Sequence, residues 1–152
     1  MDVRRTVPGQ SWFAEDDLVL VHCATLVSEV TVRALVHYSA RRTQPPKLAI
    51  IYVLEGTVLG VPDEACRAAF VELSRHGERI YSSVALVIPP GFSSAVARAF
   101  VSGVRLLSRA KLPLVMASTV DEAISWSRQH VVAPSVIPST TVIHRALEAM
   151  RS

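Results

Sequence analysis

Catalysis or metal binding needs side chains that can supply a proton, a lone pair or a metal ligand, and in this chain they are thinly spread. The five histidines, His22, His37, His76, His130 and His144, lack metal-ligand spacing, and none has an obvious sequence partner. His22 beside Cys23 invites a base-and-nucleophile reading, but adjacent residues of a strand point to opposite faces and cannot form a dyad. Cys23 and Cys66 lack CxxC spacing and fall within predicted regular elements, so both are expected to be reduced, buried and used as small hydrophobes. Cys66 lies too deep in its predicted helix to gain the full thiol activation of a helix N-terminus. No metal cluster, phosphate loop or nucleophile triad is legible, so no metal, cofactor or catalytic residue is assigned.

The remaining candidates sit in loops, because open α/β sheets bind ligands beyond the carboxyl ends of their strands. Those loops hold Thr25, residues 55–61, residues 89–94 and Ser118. Ser93 and Ser94, at a predicted helix start, offer hydroxyls and backbone N–H groups to a small anion, although their ordinary role is capping. Thr57 lies in a loop bracketed by Gly56 and Gly60, a weak signal by itself. Asp63 and Glu64 complement the positive end of the next helix. Arg98 and Arg105, with Arg109 and Lys111, make a basic stretch that an acidic protein partner or phospholipid head group could use. Without interleaved aromatics it does not make a nucleic-acid platform. An enzyme using Glu55, Asp63 or Glu64 requires a converging pocket, and a histidine clustered with Glu55 would favour it.

Hydrophobic periodicity supplies the elements that position these residues. Trp12 and Phe13, an acidic turn at Glu15, Asp16 and Asp17, and the run Leu18 to Cys23 predict a hairpin. Ser28 and Glu29 open a helix whose apolar stripe is Val32, Leu35 and Val36. Leu48 to Leu54 is apolar at both parities, as a central strand buried on both faces must be. Pro62 predicts a first helical position, the helix runs to about Arg75, and Gly77 is read as its stop. Val84 to Ile88 and Leu112 to Ala117 read as strands flanking a helix to about Arg109. That helix carries a small-residue ridge at Ala95, Ala99 and Gly103. Thr119 with Glu122 forms a capping-box pattern before a helix with Ala123, Ile124 and Trp126. Residues 131–138, with Pro134 and Pro138, read as an extended connector. A terminal helix comes next, with Ile143, Ala146, Leu147 and Met150 on one face. Strands alternating with helices predict an α/β fold: five strands, mostly parallel, joined by βα crossovers, with the first strand antiparallel.

The composition agrees with one domain over residues 1–152. The chain is 50% hydrophobic and 19% charged, which excludes disorder, and two cysteines exclude a disulfide scaffold. A net charge of +3 favours solubility and says little about partners. Pro8 to Ser11 stand where an apolar export segment would begin, and residues 89–94 interrupt the longest uncharged run, so a cytoplasmic protein without a membrane span is expected.

In order and local text, "LAIIYVLEG", "PDEACRAAF", "VALVIPPG", "PLVMAS" and "TVDEAISW", after an opening strand pair at Trp12 to Cys23, resemble the SpoIIAA-like or STAS-like family. The closing "DEAISW" is similar to the end of its bacterial stand-alone members, and the resemblance covers about residues 11–129. It implies a mixed sheet wound with βα units, no cofactor, and a role in regulation or ligand binding. The family's antagonist branch carries a phosphorylatable serine where this chain has Val61 to Ala65 without a hydroxyl, which puts phosphorylation-controlled partner switching in doubt. The family's winding also implies several helices on one side of the sheet. With a mean hydropathy of +0.34, the other face then needs a cover. The terminal stripe of Ile143, Leu147 and Met150, a second subunit or a bound apolar ligand could each supply it. The expected function is a non-enzymatic regulatory module that binds a protein partner, as a homodimer. The alternative is a carrier or sensor of a small apolar ligand such as a lipid.

Overall fold

In the computed structural model, which describes residues 1–42, 46–55, 63–88 and 111–152, the chain folds as an α/β protein around a six-stranded mixed sheet. The strands are β1 (Val3–Val7), β2 (Gln10–Glu15), β3 (Leu18–Cys23), β4 (Leu48–Leu54), β5 (Tyr81–Val87) and β6 (Leu114–Ala117). Their spatial order is their sequence order. β1, β2 and β3 form an antiparallel meander, and β3 to β6 run parallel.

The sheet therefore has six strands rather than the expected five, the extra one being β1. Pro8 and Gly9, read from the sequence only as breaking an export segment, form the two-residue turn that joins β1 to β2. Gly9 has φ +80°, the value that the second central position of a type II turn demands. A Cβ there would lie 2.8 Å from Thr25 Cγ2, so both conformation and space require glycine.

Four helices are placed among the described residues: α1 (Glu29–Ala40), α2 (Glu64–Ile80), α3 (Val120–Gln129) and α4 (Thr140–Arg151). Each has a side-chain N-cap, from Ser28, Asp63, Thr119 and Ser139 respectively. Because Asp63 is the cap, the first helical position is Glu64. Gly77 does not stop α2, which continues one further turn. Leu112 packs beside Gly77, and the helix gives way to β5 at Tyr81. The helix expected from Ser93 to Arg109, with its ridge at Ala95, Ala99 and Gly103, lies outside the described residues.

Winding explains where the helices go. Parallel strands added always in one direction by right-handed crossovers place their helices on a single face. Accordingly α1 and α2 share one face, where Val32, Leu35, Cys66, Ala69 and Leu73 pack on Trp12, Val19, Val21, Ile50 and Tyr52. The opposite face is covered by the two helices C-terminal to β6. Ala123 and Ile124 of α3 and Ile143, Ala146, Leu147 and Met150 of α4 pack with Phe13, Leu18, Leu20, Ile51, Val53 and Ala85. The result is a three-layer sandwich with a double-sided sheet, which accounts for β4 being apolar at both parities.

The connector to α4 is pinned at the amino ends of the parallel strands. Asp17 is buried at a tight turn. Its carboxylate accepts from Arg42 at 2.9 and 3.1 Å and from the Val136 N–H at 2.7 Å, while its own N–H donates to the Val136 carbonyl. Ser135 Oγ donates to the Lys47 carbonyl. Among the described residues no helix is long and apolar enough to cross a membrane.

Candidate functional site

On the face covered by α3 and α4, the sheet register sorts side chains into rungs. One rung, Val3, Phe13, Leu20, Ile51, Ala85 and Val115, is apolar throughout. The next, toward the carboxyl ends of the parallel strands, reads Arg5, Ser11, His22, Val53, Val87 and Ala117, so its β1 to β3 half is polar. Glu55 comes after β4 on the same parity, its N–H donating to the Cys23 carbonyl. Four chemistry-bearing side chains thus converge at one corner of the sheet, beneath the last turn of α4.

His22 does have a partner. Its Nε2 lies 2.7 Å from Glu55 Oε2. Glu55 is also gripped by Arg151 from α4, whose Nε lies 2.9 and 3.0 Å from the two carboxylate oxygens and whose Nη2 donates to Oε1. The Arg151 guanidinium, chiefly, holds the Glu55 carboxyl below its usual range; burial opposes this and the His22 contact reinforces it. An ionised carboxylate only accepts, so His22 Nε2 carries the proton and donates it. In the neutral ring Nδ1 is then the nitrogen with the lone pair, and among the described residues it has no hydrogen-bond partner. Directly opposite His22 on β2, the Ser11 hydroxyl is likewise without one. Both residues are buried, with exposures of 4% and 1%. Arg5 closes the corner by donating from Nη2 to the Ala149 carbonyl at 3.2 Å, a cation placed at the negative end of α4.

The other sequence candidates fall elsewhere. Asp63 is exposed and accepts from the Cys66 N–H at 2.8 Å as the cap of α2. Glu64 is exposed at the first helical position. Ile143, Leu147 and Met150 are buried against the sheet of their own chain. Thr57, Ser93, Ser94, Arg98 and Arg105 lie outside the described residues. Cys23 and Cys66 are free and buried on the α1/α2 face, and burial above all pushes their thiols up, to about 12 and about 11. Among the described residues no group of three or more His, Cys, Asp or Glu side chains could hold a metal ion.

Ser11 and Arg151 carry no signal by residue type or spacing alone. The Ser11 to His22 pairing is nonetheless recoverable, since the two-residue turn at Asp16 and Asp17 sets Glu15 opposite Leu18 and hence Ser11 opposite His22. Arg5 opposite Ser11 is not, because a register shift between Arg5 and Val7 moves it there.

Compared with known proteins, the chain has no match among family models, curated proteins or solved structures.

Proposed function

We propose that this chain is a regulatory module, STAS-like in type, that binds a protein partner at the loop end of its sheet. The supporting observation is an apolar pair at the entry to α1: Leu26 and Val30 are 37% and 56% exposed. Their neighbours Val27 and Val32 are instead drawn into the α1/α2 core, in the staple arrangement that fixes the start of a helix. The Leu26 and Val30 side chains therefore lie outside that staple, although the Leu26 carbonyl accepts from Gln10 Nε2 at 2.6 Å. Glu29 and, at the start of the adjacent α2, Asp63 and Glu64 put carboxylates at the same end of the molecule, which suits a partner offering an apolar contact ringed by basic groups.

The expectations of a homodimer and of an apolar ligand rested on an open sheet face. Because α3 and α4 of the same chain cover that face, neither occupant is needed to bury it. The test is a photo-crosslinking amino acid at position 30, with a matched probe at Val136, which is equally exposed. One discrete adduct at position 30 that disappears with Leu26→Asp, and none at 136, is the expected result. Equal labelling at both positions overturns the reading.

A further inference from the structure

We propose that the outer edge of β1 is a strand-addition site for an extended acidic segment of a protein partner, one carrying two successive carboxylates. The inference concerns a second partner surface and does not rest on the Leu26 and Val30 pair.

The edge is open. β1 is the end strand of the sheet, and among the described residues its backbone bonds only to β2. An end strand presents a row of unpaired N–H and C=O groups, the template on which an extended peptide adds. Helices flank this one without covering it. Thr6 Oγ1 meets Thr31 Oγ1 of α1 at 2.6 Å, and Arg5 reaches the Ala149 carbonyl of α4 at 3.2 Å, while Arg4 and Arg5 themselves stay exposed. The register shift between Arg5 and Val7 confines the regular edge to residues 3–5, and the charges stand there.

Charge decides the occupant. Arg4 lies on the α1/α2 face, its guanidinium 4.7 Å from the Trp12 ring centroid, and Arg5 lies on the α4 face. Arg145 is exposed one helical turn before Ala149, and so on the side of α4 that Arg5 touches. The opposing acid at the strand is Asp2, whose 3.1 Å pair with Arg4 is exposed on both partners and therefore readily exchanged. Glu148, on the same stretch of α4, acts on Arg151 instead. A second copy of the chain does not suit this edge. Antiparallel pairing of β1 with itself about its centre sets Arg5 against Arg5 or against Arg4, and like charges directly opposite are destabilising. An acidic strand meets the edge on both faces, because successive residues of an extended chain point to opposite sides. Two consecutive carboxylates then face Arg4 on one side and Arg5 with Arg145 on the other.

The test is fluorescence anisotropy of the intact chain with a fluorescein-labelled peptide, Thr-Val-Glu-Glu-Val-Thr. Two controls accompany it: the same peptide with Lys-Lys at its centre, and the Glu-Glu peptide with N-methylated backbone amides. Saturable binding of the Glu-Glu peptide alone is the expected result, weakening as salt rises. Amide hydrogen exchange of Val3 to Val7 slows in the complex. Arg4→Glu and Arg5→Glu each weaken binding about fivefold at unchanged far-UV circular dichroism, since an attractive cross-strand pair becomes a repulsive one. The doubly reversed chain prefers the Lys-Lys peptide. Absence of saturable binding of the Glu-Glu peptide up to about 1 mM overturns the proposal. Equal binding of the N-methylated peptide also overturns it, because the attraction is then general and no strand is added. Protection of the β1 amides that rises with protein concentration in the absence of peptide assigns the edge to a second copy and overturns it as well.

Discussion

Leu147 is the residue on which the placement of α4 can be tested most sharply. It is 1% exposed and packs within the cluster formed by Phe13, Leu18, Leu20, Ile143 and Met150. Leu147→Ala removes three carbons. At about 0.8 kcal/mol per buried methylene, the lost transfer energy is about 2.4 kcal/mol. A residual cavity adds to this, and measured Leu→Ala losses in cores run from about 2 to 5 kcal/mol. A loss of about 3 kcal/mol in a domain of this size lowers Tm by about 6–12 °C. Equilibrium urea unfolding measures it, with an unchanged slope showing that the folded and unfolded states keep their compactness. Covalent attachment of α4 to its own sheet makes both the native and the variant midpoints independent of protein concentration, whereas a helix exchanged between two chains would make them rise with it. A loss below about 1 kcal/mol, which is the range of exposed substitutions, would refute the reasoning. So would a concentration-dependent midpoint.

Asp17→Ala leaves Arg42 and the Val136 N–H without their shared acceptor, and a loss of about 2–4 kcal/mol by urea unfolding is expected, together with faster proteolysis of the 131–138 connector. The Glu55 carboxyl is lowered in the folded state, so its contribution is fully present above the ordinary carboxylate value and is lost as pH falls through the folded value. Arg151→Ala is therefore expected to reduce stability near pH 7 and to flatten its decline on acidification, read from urea midpoints between about pH 7 and about pH 3. Gly77→Ala is expected to stabilise by up to about 1 kcal/mol, since the position is inside α2. A Cβ there meets Leu112 Cδ2 at 3.4 Å and Tyr81 Cδ2 at 3.9 Å without overlap, and thermal unfolding checks it.

Local interactions make much of this molecule legible from sequence. Ser28, Thr119 and Ser139 cap helices because a short hydroxyl side chain can reach a backbone N–H three residues on, and that reach needs no tertiary contact. The apolar run Leu48 to Leu54 marks a strand buried on both sides for a similar reason: its composition fits only that environment. The signal is weakest where burial is one-sided. β1 has an exposed Arg4 and Arg5 at its centre and announces itself only through the Pro8 and Gly9 turn. Gly77 reads wrongly as a stop because glycine's cost in a helix is only about 1 kcal/mol, which packing of the helix face outweighs.

Nothing local brings Glu55 to His22 or Arg151 to Glu55. The first contact depends on the parallel register of β3 and β4, the second on where α4 comes to rest across a sequence separation of 96. Sequence by itself therefore located the described elements other than β1, the caps of α1, α3 and α4, and which faces are apolar, because propensity, capping and amphipathicity are summed over a few neighbouring residues. Tertiary structure alone decided that both sheet faces are covered within one chain, and that Arg5, Ser11, His22, Glu55 and Arg151 share a corner. Strand register and helix docking minimise the free energy of the whole packed core, and no short window of sequence contains that sum.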